Sequence, residues 1–538
     1  MDHQLAIKAL ALLSAGVITT QVMRVFLSPH LSSYKHIPAP KQGNVLFRLL
    51  YEPRVPEIEA WMDKIPHSGL IRYYGIFNRE RIFIASPDAA KDLLGSANSY
   101  KFIKPELQWI LANNIAGHGL LIQEGDEHKE ARKRFNPTFS PAQMKKWFPR
   151  LWGTTIETMN GLEKQVQQNT VAAPDTTTKG SMRGVTSILR LVSAASIDMI
   201  GHFGYDVEFK TLQNLSKRRS QLKETVEDPK PAFGRAYIEM FKTTRRGQLT
   251  LNAASLIGPK IALALPIPAV KTIHGIMGLV RRTAEHIVTT RERSISCKSE
   301  GLDTDMLTMI MGMDHFSHAE LVEQTVHFLA AGTETVAGST CWAIHLLSRH
   351  PEIQHRLREE IRANVTSPYI AGKEAVSESQ FTNLKYLNAV VEEVLRFHSI
   401  NTLLWRTCIE PATISGVPVT KGTAIVFSPW ALNRDPAHWG PDGRVFNPER
   451  WLNDPSGGSE HPYSFLTFGG GPRRCVGEQY ARNELLCLVA GLIGRFQFSP
   501  LNPYKESDEG QEIGDNFALT IFKIYSGWKL QVEQVPGW

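Results

Sequence analysis

The ten residues from Phe468 to Gly477, FGGGPRRCVG, place the strongest constraint on what this chain can fold into. Three consecutive glycines give the backbone freedom to turn tightly just before a cysteine, so that amides can approach its sulfur. Apolar residues recur at helical spacing from Ala481 to Leu492, which puts Cys475 near the N-terminus of a helix. The helix dipole there favours a thiolate, and a thiolate is a strong ligand for iron.

The other cysteines show no pattern of their own. The chain has five cysteines at irregular spacings and no C-x-x-C pair, which argues against a disulfide framework and a structural zinc site. We therefore expect thiols in a reducing compartment and treat the remaining four as small buried apolar residues. These four are Cys297, Cys341, Cys408 and Cys487.

One long helix is predicted near the middle of the chain. Ser317 and Glu320 fit a capping box, and the apolar pattern continues to about Arg349. At about 1.5 Å per residue such a helix is roughly 50 Å long, enough to cross a whole domain. Pro351 marks its end and suits the first turn of the next helix.

Short strands are predicted toward both ends of the chain. The stretch from Leu70 to Ser86 is typical of two strands joined by a turn at Asn78–Glu80. Most of the remaining sequence has helical periodicity, and no internal repeat is present. The predicted fold class is therefore mainly α with small β-sheets.

The N-terminus differs from the rest. Leu5 to Met23 spans 19 residues with Lys8 as its one charge, which nearly suffices to cross a hydrocarbon core of roughly 30 Å. We predict an anchor helix in residues 1–28 and a proline-rich linker in residues 29–45, followed by one domain over residues 46–538. Cations after the apolar stretch predict that the large C-terminal part faces the cytosol. A cleaved signal peptide is the alternative.

The charge balance is mildly basic. The formal net charge is +7 and the isoelectric point about 9.0, which favours acidic partners or anionic membranes. No basic stripe with interleaved aromatic residues is present, so we do not expect nucleic-acid binding.

The cysteine loop has the pattern F-x-x-G-x-R-x-C-x-G, which resembles the haem-binding signature of the cytochrome P-450 family. The matching residues are Phe468, Gly471, Arg473, Cys475 and Gly477. The resemblance implies a cytochrome P-450 fold and haem b, with the Cys475 thiolate as the axial iron ligand.

A second element of the resemblance is an E-x-x-R pair on a helix. Glu393 and Arg396 have this spacing, which taken alone is common for an exposed pair. Arg450, in FNPERW, stands where the family carries its third member. The resemblance implies a structural network behind the cysteine loop.

The resemblance also implies an acid–alcohol pair in the long central helix. Glu334 and Thr335 match it, and we expect Gly332 to weaken the helix where oxygen needs space. Thr335 is expected to bond back to the carbonyl of Ala331 and open a local bend. Thr335 would then help activate oxygen, while Glu334 would relay protons from solvent.

Haem carries two propionates, so cations are expected to meet them. The resemblance assigns this role to Arg473, to the pair His128 and Arg132 at i, i+4, and to Arg406. Many members carry Trp at the position of His128.

The implied function is that of a monooxygenase that uses O2 to oxidise a lipophilic substrate. The resemblance also implies an anchor in the endoplasmic reticulum membrane, with the catalytic part facing the cytosol. No dinucleotide motif is present, so the implied electron donor is the NADPH–cytochrome P-450 reductase, with Arg474 and Arg482 as the expected docking cations. A haem–thiolate isomerase or dehydratase, and a non-enzymatic haem sensor or electron carrier, are the alternatives. Residues expected near the substrate are Phe102, Trp109, Leu111, Leu403, Leu404 and Phe517.

Overall fold

The structure is a computed structural model of the chain. It describes residues 23, 25–27, 30–48, 51–105, 117–169, 182–217, 228–240, 264–265, 267–296, 305–313, 316–371, 376–501, 513–514, 523–524 and 528–538. These residues divide into two compact units, each formed by several stretches of the chain. The sheet unit comprises residues 1–105, 401–443 and 459–474, and the helical unit comprises residues 106–400, 444–458 and 475–538.

The helices are numbered along the chain. They are α1 (Val45–Arg48), α2 (Val55–Lys64), α3 (Pro87–Leu94), α4 (Gly125–Phe135), α5 (Pro141–Gln168), α6 (Leu189–Tyr205), α7 (Thr211–Asn214), α8 (Lys230–Met240), α9 (Pro268–Ser296), α10 (Met306–Met311), α11 (His318–Arg349), α12 (Pro351–Asn364), α13 (Pro368–Ala371), α14 (Glu378–Thr382), α15 (Lys385–Phe397), α16 (Pro429–Leu432), α17 (Pro436–Trp439), α18 (Arg450–Asn453) and α19 (Glu478–Arg495).

The strands are short. They are β1 (Leu70–Gly75), β2 (Arg79–Ile84), β3 (Phe102–Ile103), β4 (Arg183–Thr186), β5 (Leu404–Cys408), β6 (Ala412–Ile414), β7 (Val417–Val419), β8 (Ala424–Phe427), β9 (Phe496–Pro500), β10 (Ile513–Gly514), β11 (Lys523–Ile524) and β12 (Leu530–Gln534). Short 3₁₀ turns cover Ile76–Asn78, Asn136–Phe139 and Gly471–Arg473.

The sheet unit is built on a five-stranded sheet in the order β1-β2-β8-β5-β3. β2 and β8 pair in parallel and the other neighbours pair antiparallel, with Leu70 opposite Ile84 at the start of the register. A two-stranded hairpin of β6 and β7 completes the strands of this unit among the described residues. Fully buried side chains such as Ile82, Phe83 and Ile425 form its core.

The helical unit is organised around α11, which packs against α6, α9, α15 and α19. A three-stranded sheet in the order β4-β12-β9 and the pair β10-β11 belong to the same unit. Most of α11 is buried, which explains why its sequence is apolar on nearly every face. The fold is mainly helical with small sheets, as the sequence predicts.

The predicted ends of the central helix are confirmed. The Ser317 hydroxyl accepts from the Glu320 amide, and Glu320 Oε2 accepts from the Ser317 amide at 2.8 Å. The helix ends at Arg349, and Pro351 opens α12 at its first turn. The capping box and the proline thus fix a 32-residue helix.

The predicted strand pair is present, but its turn is misplaced by two residues. The connection is the 3₁₀ turn at Ile76–Asn78, and β2 already begins at Arg79. Phe77 and Asn78 take left-handed φ values of 57° and 52°, which are unusual for non-glycine residues. The prediction for this turn was therefore wrong in position.

The predicted anchor lies almost wholly outside the described residues. Of the stretch from Leu5 to Met23, the structure describes only Met23. Among the described helices, none is long and apolar enough to cross a membrane.

Candidate functional site

Cys475 lies where the sequence places it, three residues before α19 begins at Glu478. Its side chain is exposed, whereas Cys341, Cys408 and Cys487 are buried as predicted. Among the described cysteines, Cys475 is therefore the one a ligand can reach. The fifth cysteine, Cys297, lies outside the described residues.

Packing gives a further reason for the glycines before Cys475. Gly471 has a φ of +63°, and a Cβ there would collide with the carbonyl oxygen of Leu94 at the end of α3. Gly469 is also left-handed, with a φ of +72°. Close packing of the loop on α3 thus requires glycine at position 471.

Gly477 is less constrained. Its φ is −88°, and a Cβ there would meet only the Phe139 ring at 3.6 Å, an ordinary van der Waals distance. The polypeptide alone therefore does not demand glycine at this position.

Thr335 and Ala331 mark an accessible turn in the otherwise buried middle of α11. Thr335 Oγ1 donates to the Ala331 carbonyl at 2.8 Å, as predicted. Ala331 is exposed and Thr335 half-buried, whereas Thr333, Glu334 and Val336 are buried. The helix runs uninterrupted through this turn. One face of the central helix is thus open beside a hydroxyl group.

Gly332 contributes to helix packing. A Cβ at this position would lie 2.8 Å from Cδ1 of Ile200 on α6, which is closer than real contacts allow. The glycine therefore permits the close approach of α6 and α11, and its expected role as space for oxygen stays a prediction.

Glu334 points into the protein interior. Its side chain is only 3% exposed. Burial raises the pKa of the fully buried Tyr237 on α8 well above its usual value, and the charge of Glu334 raises it further. Glu334 therefore has a phenol as a neighbour and little direct contact with solvent, a placement that sequence reasoning missed.

The predicted cations of the helical unit lie on α4. His128 is buried, 3% exposed, and Arg132 one turn later is partly exposed. Arg132 Nε donates to Asn136 Oδ1 at 2.8 Å, which anchors the base of its side chain. The two side chains share one face of the helix at i, i+4 spacing.

The predicted cations of the sheet unit lie on β5 and in the cysteine loop. Arg406 is half-buried on β5, and its guanidinium lies 5.6 Å from the centroid of the Phe427 ring. Arg473 lies in the 3₁₀ turn, with its guanidinium 6.0 Å from the Tyr100 ring centroid. Aromatic faces thus position both guanidinium groups.

The segment before Phe468 is held by Asn433, a residue that sequence reasoning left without a role. Asn433 is fully buried, accepts from the Leu466 amide at 2.7 Å and donates to Thr467 Oγ1 at 2.7 Å. Phe468 itself is half-buried, with its ring 6.4 Å from that of Phe465. One buried amide thus fixes the start of the signature.

The structure brings Glu393, Arg396 and Arg450 together. Arg396 donates to both oxygens of Glu393 at 2.7 Å, and both side chains are fully buried. Arg450 Nε donates to Glu393 Oε1 at 3.3 Å. The alternative of an exposed i, i+3 pair is therefore excluded.

Two further groups complete this network. The indole of Trp451 donates to Glu393 Oε2 at 2.9 Å, and the amide of Asn447 donates to Oε1 at 2.8 Å. Arg396 Nη2 also reaches the Val445 carbonyl at 3.1 Å. Sequence reasoning missed both donors, although Trp451 directly follows Arg450 in the FNPERW motif.

Arg482, expected at a docking surface, is instead part of an internal ion pair. It contacts Glu392 and donates to Glu478 at 3.1 Å, with only 18% of its side chain exposed. Burial lowers the pKa of Arg482 to about 10. Its charge helps hold α19 to α15, and its expected role as a docking cation stays a prediction.

Glu484 on α19 is a buried acid that the sequence did not indicate. It is fully buried, and burial raises the pKa of its carboxyl to about 8. The group is therefore mostly protonated at neutral pH. The helix that follows Cys475 thus avoids placing a negative charge in its core.

The residues expected near the substrate are only partly described. Trp109, Leu111 and Phe517 lie outside the described residues. Phe102 is 1% exposed and belongs to the core of the sheet unit, so it lines no open surface. Leu403 is buried, and Leu404 is half-buried on β5.

These features fit a haem held by a thiolate. An exposed Cys475 at the start of a helix supplies the ligand chemistry, and the open turn at Ala331 and Thr335 leaves one face of α11 accessible. The partly exposed Arg132, Arg406 and Arg473 are cations of the kind that carboxylates bind.

Comparison with known families defines the class. The sequence pattern of the cytochrome P-450 family matches residues 68–523, most of the chain. The chain therefore belongs to the cytochrome P-450 family.

Proteins similar to this chain include fungal enzymes of that family. It is 31% identical over 537 residues to the cytochrome P-450 monooxygenase sphH of Aspergillus fumigatus, covering 97% of this chain and 94% of that protein. It is 29% identical to the monooxygenase FSL4 of Gibberella zeae, over 95% and 90% of the two chains. It is 27% identical to the monooxygenase buaD of Petromyces alliaceus, over 98% and 93%. The chain is accordingly an oxidoreductase of the P-450 monooxygenase class.

Proposed function

We propose that this chain is a membrane-anchored haem–thiolate monooxygenase that oxidises a lipophilic small molecule of fungal specialised metabolism. The observation that carries the proposal is the exposed Cys475 at the N-terminus of α19, within a loop that has the family signature. The fungal monooxygenases that match nearly the full chain support the same activity.

Cys475 would hold haem b through its thiolate, while Arg473, Arg132, Arg406 and His128 would face the propionates. The bound haem would supply the activation of O2, with one oxygen atom entering the substrate and the other leaving as water. The N-terminal position on α19 favours the deprotonated sulfur. The neutral Glu484 further along the helix adds no opposing charge.

Thr335 and Glu334 would manage protons. The Thr335 hydroxyl lies on the open turn of α11, where its single O–H donates to the Ala331 carbonyl and its oxygen can accept a hydrogen bond from a ligand. Rotation of the hydroxyl away from that carbonyl would let it donate to the ligand instead. Glu334, buried beside Tyr237, is suited to pass a proton along the helix rather than to take one directly from bulk water. Glu393, Arg396 and Arg450 would act only structurally.

The electrons would come from a separate NADPH–cytochrome P-450 reductase, because the sequence contains no dinucleotide-binding motif. The apolar stretch from Leu5 to Met23 supports an anchor in the endoplasmic reticulum membrane with the catalytic part in the cytosol. The net charge of +7 suits both an anionic membrane surface and an acidic electron donor.

Reconstitution tests the electron source. The purified full chain should consume NADPH and O2 with a lipophilic substrate only when reductase is added. Turnover with NADPH in the absence of reductase would contradict the proposal. Product formation that needs neither reductase nor O2 would favour an isomerase or dehydratase.

The proton role is tested by Thr335→Ala with Thr333→Ala as the matched control. Both hydroxyls donate to the carbonyl four residues earlier at 2.8 Å, but Thr333 is buried and Thr335 lies on the open turn. T335A should divert NADPH oxidation from product to hydrogen peroxide, by about tenfold or more in coupling ratio. Equal coupling in the two variants would remove Thr335 from the mechanism.

A further inference from the structure

The segment from Gly117 to Ile122 is held on the central helix by side chains of α11. It has no regular secondary structure, and its backbone turns through a bond from the Ile122 amide to the Gly119 carbonyl at 2.8 Å. Backbone amides of a buried irregular segment must find acceptors outside a helix or sheet ladder. Three of them find acceptors on α11.

The acceptors are Glu323, Gln324 and His327, which lie along one edge of the helix. Glu323 Oε2 accepts from the His118 amide at 2.8 Å, and Gln324 Oε1 accepts from the Leu120 amide at 3.1 Å. His327 Nε2 accepts from the Leu121 amide at 3.3 Å. Gln324 and His327 are 4% and 3% exposed, so these bonds form away from bulk water.

Two glycines make the close approach possible. A Cβ on Gly119 would collide with the His327 side chain. Gly117 has a φ of +69°, and a Cβ there would lie 2.8 Å from Glu323 Oε2. The GHG sequence at 117–119 is therefore matched in space to the acceptors of α11.

Glu323 also ties this arrangement to α9. Arg281 contacts its carboxylate, with Nη2 at 3.4 Å from Oε2. Burial alone would raise the pKa of Glu323, but the hydrogen bonds from Arg281 and the His118 amide lower it below its usual value. A single ionised carboxylate thus joins α9, α11 and the segment.

The accepted amides determine where Leu121 lies. His327, Ala331 and Thr335 follow at i, i+4 and i+8, so they lie along one side of α11. His327 holds the Leu121 amide about 6 Å along the helix axis from Ala331. Leu121 is 51% exposed between the buried Leu120 and Ile122.

We propose that Glu323, Gln324 and His327 form a latch that sets the position of the Gly117–Ile122 segment beside the open turn of α11, and that His327 is thereby a positioning residue for ligands at that turn. The latch deepens the proposed function and rests on it for its role in ligand binding. His327 can accept from Leu121 only when Nε2 carries no proton, so a neutral ring with its hydrogen on Nδ1 is the latched form.

Hydrogen–deuterium exchange on the full-length haem-loaded protein tests the latch directly. His327→Phe keeps an aromatic ring at this position and removes the acceptor, so the Leu121 amide should exchange about tenfold faster. His327→Gln places an amide oxygen near the position of Nε2 and should restore protection. His345→Phe is the control, because burial lowers the pKa of His345 to about 3, so its ring is also neutral and buried on α11.

Unchanged exchange at Leu121 in H327F, or the same increase in H345F, would overturn the latch. Faster exchange over the whole helical unit in H327F would also overturn it, because that indicates general opening. Gln324→Leu provides a second test that does not depend on His327: exchange of the Leu120 amide should rise about tenfold, and no change would contradict the proposal.

Ligand binding tests the positioning role. Imidazole and 4-phenylimidazole both ligate haem iron through nitrogen, and the second carries an apolar ring into the surrounding pocket. H327F should weaken 4-phenylimidazole about threefold relative to imidazole, because Leu121 no longer holds its place, and H327Q should reverse this. An unchanged or inverted ratio would remove the positioning role. If the wild type protects the Leu120 and Leu121 amides but binds neither probe, the latch stands and the haem-based function is refuted.

Discussion

The buried carboxylate of Glu393 is the common acceptor of four groups in the helical unit. It accepts from Arg396, Arg450, Trp451 and the amide of Asn447, at distances from 2.7 to 3.3 Å. Glu393→Gln keeps the shape of the side chain but removes its charge and replaces one acceptor oxygen with a donor. The Arg396 guanidinium, fully buried, is then left without its counter-ion.

The cost follows from burial. Removing one partner of a buried, hydrogen-bonded ion pair destabilises a protein by about 3–5 kcal/mol. An unfolding entropy of about 2.1 cal/mol/K per residue corresponds to roughly 0.8 kcal/mol/K for a unit of this size. The apparent melting temperature of E393Q should therefore fall by about 4–6 °C.

Glu449→Gln is the matched control. Glu449 lies in the same FNPERW motif and pairs with Arg356, but both side chains are about half exposed. An exposed pair of this kind contributes under about 1 kcal/mol, so the shift in E449Q should be about 1 °C or less. Thermal melts of haem-loaded protein at one scan rate make the comparison. A shift in E393Q no larger than that in E449Q would refute the account of this network.

Two further predictions follow from the loop and from the start of α11. Gly471→Ala should prevent stable haem loading, because the left-handed φ and the Leu94 carbonyl leave no room for a Cβ. Gly477→Ala should be tolerated by the polypeptide. Haem absorbance per protein measures the loading, and equal loading by the two variants would contradict this prediction. Hydrogen bonds from His318 to Glu292 and to a second glutamate of α9 raise the pKa of His318. The charged pairing therefore stabilises the fold fully below about pH 6.5, and this stabilisation is lost as the pH rises through the pKa of the folded protein. The melting temperature of the wild type should exceed that of His318→Gln most at low pH, and a difference that grows with pH would contradict the assignment.

Local sequence rules predicted the elements whose signals are contiguous. The capping box at Ser317 and Glu320 and the proline at 351 define α11 without tertiary information. The helical spacing after Cys475 likewise predicted its place before α19. Such features depend on hydrogen bonds and dihedral preferences within a few residues, which the sequence displays directly.

Features that depend on packing between distant segments were not predicted. Gly332 serves the contact with Ile200, which is more than a hundred positions away, and Gly471 serves the contact with Leu94. Arg482 looked like a surface cation because its partner Glu392 belongs to another helix. Nothing local marks these choices, because glycine and arginine occur for many reasons.

The latch shows the same limit. Its acceptors on α11 and the GHG stretch near residue 118 are separated by about 200 positions. Each half is unremarkable alone, since side chains on a helix and glycines in a loop are common. Only the folded chain pairs them, so sequence periodicity could not reveal the arrangement.

The central claim is that the Cys475 thiolate binds haem iron, and the carbon monoxide difference spectrum of the reduced protein tests it most directly. The wild type should show the long-wavelength band typical of thiolate ligation. Cys475→His should lose that band, while Cys487→Ala, which removes a buried thiol on α19, should retain it. A wild-type spectrum without the band, or a C475H spectrum that keeps it, would contradict the account.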